Sequence, residues 1–110
     1  MNMGFFSWLK KTFGHFNAQH AAAALAVGQR GVDQIGAIEN WPWLPDFDKT
    51  ITPVIQDLNK WQKGQPTQQI VEGLNAAIDI LNAAPGLSAK DKAIVDICID
   101  SGEAALAGLA

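Results

Sequence analysis

The chain has 110 residues, of which 48% are hydrophobic and 17% are charged, and its net charge at pH 7 is −3. This composition is typical of one globular domain and excludes a disordered chain. Tyr is absent, Ala is abundant and β-branched residues are scattered, so we predict an all-α fold, a small bundle of about four to five helices with an N-terminal amphipathic helix. We expect an N-terminal arm at 1–16 and a single helical domain at 17–110.

Charge is distributed unevenly along the chain. Residues 1–32 contain three basic residues and no acidic one, whereas residues 33–110 contain five lysines and all eleven acidic residues. No basic stripe follows the N-terminus, so we do not expect nucleic acid as a partner. The apolar run 21–27 is too short to cross a bilayer, and we expect neither a transmembrane segment nor a signal peptide.

The first sixteen residues predict an amphipathic helix. At 100° per residue, one side of this helix takes large apolar side chains, namely Phe5, Phe6, Leu9, Phe13 and Phe16. Lys10 and Lys11 lie on the opposite side, and Trp8 lies at the border. All of these residues are candidates for contact with a partner. Three interpretations stay open: packing on the other helices, docking into a groove of a protein partner, or binding at a membrane interface.

Four further helices are predicted in chain order. Asn17 is the expected cap of the first, over 18–38, where glycines suggest close approach of another helix or a break near Gly31. Residues 40–49 are predicted to be irregular, because prolines restrict the residues that precede them. Pro53 suits the first turn of the next helix. The last three helices are expected at Thr52–Lys63, Thr67–Ala84 and Ser88–Leu106.

Helical periodicity also assigns buried and exposed sides. In the helix over 18–38 the polar side chains are expected to face solvent, among them Gln29, Arg30 and Asp33. The clearest buried side belongs to the helix after Thr67, with Ile70, Leu74, Ala77, Ile78 and Leu81. Cys98, the one cysteine, excludes an intrachain disulfide and lies on an apolar side, so we predict a buried structural thiol.

No catalytic, cofactor-binding or metal-binding residue is predicted, and we expect no cofactor and no enzymatic activity. His15 and His20 on one helix would lie roughly 140° apart and would not converge on a metal. Asp96, Asp100 and Glu103 share one helix side, which we interpret as a solvated face rather than a cation site. Catalysis needs a nucleophile, a base and an orienting group together, and the sequence indicates no such set.

The segment Trp41-Pro42-Trp43 has two interpretations. Its rings fill the core between two helices, or Trp41 and Trp43 form an exposed aromatic contact patch. We favour the first. A small-ligand pocket lined by Trp41, Trp43 and Trp61 is a further functional hypothesis.

The opening MGFFSWLKK at 3–11, followed by Gly14 and His15, resembles the start of small uncharacterised bacteriophage and prophage accessory proteins. The resemblance implies a viral or mobile-element setting, with the virion or the bacterial host cytoplasm as location. We expect a structural or assembly protein that acts through helix packing, by self-association or with a protein partner. The alternative is a peripheral membrane protein held by its N-terminal helix, connected with lysis or envelope contact.

Overall fold

The structure, a computed structural model, describes residues 17–109 and contains four α-helices there. These helices, α1 to α4, span Ala18–Glu39, Leu44–Lys60, Gln68–Ala83 and Ala89–Leu109. Each helix packs on the next along the chain and α4 packs on α1, so the four form a closed bundle. The all-α prediction is confirmed for this part of the chain. The amphipathic helix predicted at 1–16 lies outside the described residues.

Neighbouring helices run antiparallel, as short connections require. In the α1–α4 pair, Gly28 lies against Cys98, and Gly31, one turn later, lies against Ile94, one turn earlier. Residue numbers therefore rise along one helix as they fall along the other. The remaining pairs are joined by the connections 40–43, 61–67 and 84–88.

The core is built from all four helices. Its largest fully enclosed side chains are Phe47, Leu25, Ile51, Leu58, Leu74, Val32, Val95 and Cys98. The buried side predicted for α3 is confirmed at every position, from Ile70 to Leu81. Burial of each large apolar side chain contributes about 1.5–3 kcal/mol, so this cluster is the main source of stability.

The prediction that residues 40–49 are irregular holds for 40–43 and is wrong from Leu44 onward. Helix α2 begins at Leu44, because Pro45 lies in the first turn, where a missing backbone N–H costs no hydrogen bond. Phe47, which is 0% exposed, holds this first turn against the core. Pro53 consequently lies inside the helix and not at its start. Proline is compatible with both a loop and a first helical turn, and the burial of Phe47 selects the helical turn.

Three helix ends follow from local side-chain chemistry. Asn17 caps α1 as predicted, since its side chain accepts a backbone N–H of the first turn at 3.0 Å. Helix α1 then continues through Gly31 without a break and ends at Asn40, whose φ is 56°. Ser88 Oγ accepts the backbone N–H of Asp91 at 3.1 Å, which confirms the predicted start of α4.

The close approach of α1 and α4 depends on Gly28. A Cβ at this position would lie 3.1–3.2 Å from three atoms of Cys98, and one of them is the backbone Cα. At Gly31 the nearest atom belongs to Ile94 and lies 3.5 Å away, which is ordinary van der Waals contact. Two glycines in one helix therefore differ in the space that surrounds them.

We predict that Gly28→Ala is less stable than Gly31→Ala by about 1–3 kcal/mol, the usual cost of overpacking. Both substitutions gain the same intrinsic helix propensity, so the difference between them reports the contact with Cys98 alone. Urea unfolding followed by circular dichroism measures it. Equal stability of the two variants would contradict the tight packing of the α1–α4 pair.

Candidate functional site

Two carboxyl groups face one another where α1 packs on α2. A hydrogen bond with Asp48 is one cause of a raised pKa at Asp33, and two carboxyl groups can share such a bond only while one of them carries a proton. Gln29 donates to Asp48 Oδ1 at 3.1 Å and to Thr52 Oγ1 at 3.2 Å. The Oδ1 atom of Asp33 is enclosed, and no N–H or hydroxyl group reaches it. The prediction that Gln29 and Asp33 face solvent is wrong, because both are half-buried between the helices.

The pKa of Asp33 is raised from its ordinary 3.8 to about 7, first by burial and then by the hydrogen bond with Asp48 and the charge of Asp48. A second pair joins α1 to α4, where a hydrogen bond with Asp91 is the main cause of a raised pKa at Glu39. The Asp33–Asp48 pair makes the contact between α1 and α2 sensitive to protonation, whereas water screens the exposed Glu39.

Cys98 is a buried thiol, as predicted, with 2% of its surface exposed. The pKa of Cys98 is raised to about 11, mainly by burial and in smaller part by the charge of Asp33. The thiol is therefore protonated at neutral pH, and a protonated thiol is a poor nucleophile. Its role in the fold is packing against Gly28.

We predict that the Asp33→Asn variant loses a pH dependence that the wild type has. Because the folded-state pKa of Asp33 exceeds its ordinary value, the folded chain holds more protons between about pH 4 and pH 7, and the free energy of unfolding falls across that range. An amide at this position donates to Asp48 at any pH, so the variant should be more stable than the wild type at pH 8.

Urea unfolding between pH 4 and pH 8 measures this effect. Asp79→Asn, on the exposed side of α3, is the matched control and should keep the wild-type slope. A slope at Asp33→Asn equal to that of the wild type would show that Asp33 and Asp48 share no proton in the folded chain.

The tryptophans of the connection 40–43 pack on the core. Trp41 and Trp43 stack with ring centroids 4.9 Å apart, and Trp43 meets Phe47 edge-on at 6.3 Å. Both tryptophans are half-buried against the core, whereas Pro42 between them is exposed. This packing agrees with the interpretation that the rings fill the space between two helices.

Two open grooves lie near opposite ends of α2. The larger, of about 670 Å³, includes Trp43, and the smaller, of about 350 Å³, includes Trp61. Eighteen residues of largely helical chain separate these two rings, a distance of about 27 Å. A single pocket lined by Trp41, Trp43 and Trp61 is therefore not formed.

An apolar surface lies outside the line of contact between α1 and α4. Val27 of α1 is 65% exposed and Ile97 of α4 is 60% exposed. Gly28 of α1 lies against Cys98 of α4. Because the two helices are antiparallel, the preceding residues, Val27 and Ile97, stand at one level and turn to the same outer side of the contact. Small neighbours at helical spacing complete what we call the α1–α4 face, which consists of Ala24, Val27, Gly31, Ala93, Ile97 and Ala104.

Acidic side chains border the α1–α4 face. Helix α4 carries Asp96, Asp100 and Glu103 on its outer side, and the first and last of them are exposed. Residues 17–110 contain six basic and eleven acidic residues, a net charge of −5. Arg30, three residues after Val27, and Lys90, seven residues before Ile97, are also exposed beside this face, so its border carries both signs of charge within a region that is acidic in sum.

The sequence did not indicate the α1–α4 face. A signal was present, because Ala24, Val27 and Gly31 follow helical spacing on a side of α1 with few charges. Which side of α1 is left uncovered depends on where α2 and α4 pack, and that is decided by tertiary contacts. Ile38, 81% exposed, lies on α1 about 16 Å beyond Val27.

The predicted partner-contact residues Phe5, Phe6, Trp8, Leu9, Lys10, Lys11, Phe13 and Phe16 lie outside the described residues. His15 lies there too, and His20 is exposed at the start of α1. Within 17–109, no group of three or more His, Cys, Asp or Glu side chains is arranged to hold a metal ion. No helix in that same part of the chain is long and apolar enough to cross a membrane.

Comparisons of the chain with protein-family models, with curated proteins and with solved structures find no match. The surfaces of the bundle and the pattern of the first sixteen residues are therefore the basis for a functional proposal.

Proposed function

We propose that this chain is a non-enzymatic interaction protein that acts through helix packing and assembles with copies of itself. The contact element is the aromatic segment, defined as residues 5–16, and its docking surface is the α1–α4 face of a second copy. The observation that carries this proposal is the pair Val27 and Ile97, two large apolar side chains exposed at one level on neighbouring helices.

The closed bundle supports this role for the aromatic segment. Helices α1 to α4 pack in a ring, and each contributes side chains to the shared core. An amphipathic helix at 1–16 would therefore pack on an outer surface of this bundle. Large apolar side chains on one side of the segment, Phe5, Phe6, Leu9, Phe13 and Phe16, call for an apolar surface to cover them.

Charge and surface shape favour a second copy as the partner. Residues 1–16 carry two lysines and no acidic residue, whereas residues 17–110 carry a net charge of −5 with acidic side chains beside the α1–α4 face. The small side chains of that face leave room for aromatic rings next to Val27 and Ile97. The chain thus contains both complementary surfaces of one contact.

The free energies of ring burial, ion pairing and association together predict a weak contact between copies. Each buried ring contributes about 1.5–3 kcal/mol, and each exposed ion pair contributes about 0.2–1 kcal/mol. Association itself costs at least about 4 kcal/mol in lost freedom of motion. The rings therefore set the affinity, and the lysines set the orientation. In the viral setting that the N-terminal resemblance implies, many weak copies of such a contact would hold an assembly together.

We predict that the full chain self-associates as its concentration rises toward the millimolar range, and that the Val27→Asp/Ile97→Asp variant does not. Two buried carboxylates would be unpaired in the contact, whereas neither position belongs to the core of the four-helix bundle. Sedimentation velocity measures the association, and circular dichroism should show that the variant keeps the helix content of the bundle. Ile38→Asp, exposed on α1 but far from the face, is the control and should associate like the wild type.

A wild-type chain that stays monomeric over this range would contradict the proposed function. So would a Val27→Asp/Ile97→Asp variant that associates like the wild type.

Membrane binding is the competing role of the aromatic segment, and vesicles of anionic phospholipid test it by co-sedimentation. We expect no binding of the wild-type chain, because two lysines contribute only about 1 kcal/mol each at an anionic surface. Binding that is lost in Phe5→Asp/Phe13→Asp and retained in Val27→Asp/Ile97→Asp would assign the segment to the membrane interface instead.

A further inference from the structure

We propose that in the single copy the aromatic segment covers the α1–α4 face of its own chain, and that self-association proceeds by exchange of this contact between copies. The inference rests on the proposed function, because it uses the same two surfaces. It adds a form of regulation. The aromatic segment and the α1–α4 face of one chain cover each other until the segment of a second copy takes the place of the chain's own segment.

The position of Asn17 brings the aromatic segment within reach of the face. Asn17 fixes the start of α1, since its side chain accepts the backbone N–H of His20. Val27 lies ten residues further on, about 15 Å along the helix axis. A helix over 5–13 that turns back at Gly14 spans a similar length beside α1. Its first turn then stands at the level of Val27.

The connection that this reversal requires has an ordinary length for a pair of antiparallel helices. Two antiparallel helices are commonly joined by about 2–5 residues, and residues 14–17 provide four. Gly14 tolerates the backbone conformations that such a turn uses, and Asn17 is already extended, with φ −119° and ψ 109°. Nothing in α1 has to unfold for the chain to reverse there.

The exposed apolar side chains favour the α4 side of α1 over the α2 side. Helix α4 carries Asp96, Asp100 and Glu103 on its outer surface, within two helical turns of Ile97. With its first turn at the level of Val27, a helix over 5–13 would carry Lys10 and Lys11 near the level of Glu103, and exposed charges interact over about 10 Å at 0.1 M salt. The apolar side chains Val27 and Ile97 lie on this same side.

Effective concentration decides between the two modes of contact. A short connection holds the segment near its own face at a concentration of order millimolar. A protein at micromolar concentration offers the face of a second copy at about a thousandth of that value. The contact within one chain therefore predominates in dilute solution, and exchange between copies sets in as the protein concentration approaches the millimolar range.

Trypsin cleavage after Lys10 and Lys11 tests the inference in dilute solution, because a docked helix must open before a protease can cut it. We expect cleavage in Val27→Asp/Ile97→Asp to be at least about tenfold faster than in the wild type, which corresponds to about 1.4 kcal/mol of lost docking. Ile38→Asp should be cut at the wild-type rate. Equal rates in all three proteins would overturn the inference.

A disulfide trap identifies which face is covered. Phe6→Cys/Val27→Cys, oxidised in dilute solution, should form a disulfide within the monomer, because these positions stand at one level. Phe6→Cys/Gln56→Cys is the control, since Gln56 is exposed on α2, and should not. The native Cys98 is buried and does not compete. A monomer disulfide in the control alone would overturn the inference.

The two proposals fail in different experiments. A chain that shows the monomer disulfide and never associates at high concentration would contradict self-assembly and leave the contact within one chain supported. A chain that associates and yet forms only disulfide-linked dimers in dilute solution would contradict the contact within one chain and leave self-assembly supported.

Discussion

The close approach of α1 and α4 at Gly28 and Cys98 is the contact on which the rest of the bundle depends. It brings the last helix back to the first and so closes the ring of four helices. It also sets Val27 of α1 and Ile97 of α4 at one level on the same outer side of the helix pair. A glycine inside the contact thus allows the two helices, and with them the two exposed apolar side chains, to lie close together.

The acidic pairs show a different constraint on α1. Asp33 with Asp48, and Glu39 with Asp91, place carboxyl groups against each other in two helix contacts. Such pairs hold together through a shared proton, and repulsion replaces the hydrogen bond when that proton leaves. The contact of α1 with α2 is therefore weaker above the raised pKa of Asp33, about 7, than below it.

Much of the fold could be predicted from the sequence. Helical periodicity identified the buried side of α3 in full, and Asn17 and Ser88 marked two helix starts by ordinary capping chemistry. The start of α2 could not be found in this way. Two prolines near Leu44 are compatible both with a loop and with a first helical turn, and the burial of Phe47 selects the turn.

The sequence by itself determined the all-α class, the buried thiol of Cys98 and the amphipathic pattern of the first sixteen residues, because periodicity and composition are local properties of a chain. Only the tertiary structure decided that Gln29 and Asp33 lie between helices and that Val27 and Ile97 form one surface. A helix can turn any side toward its neighbours at little local cost, so its uncovered side is set by the packing of the other helices.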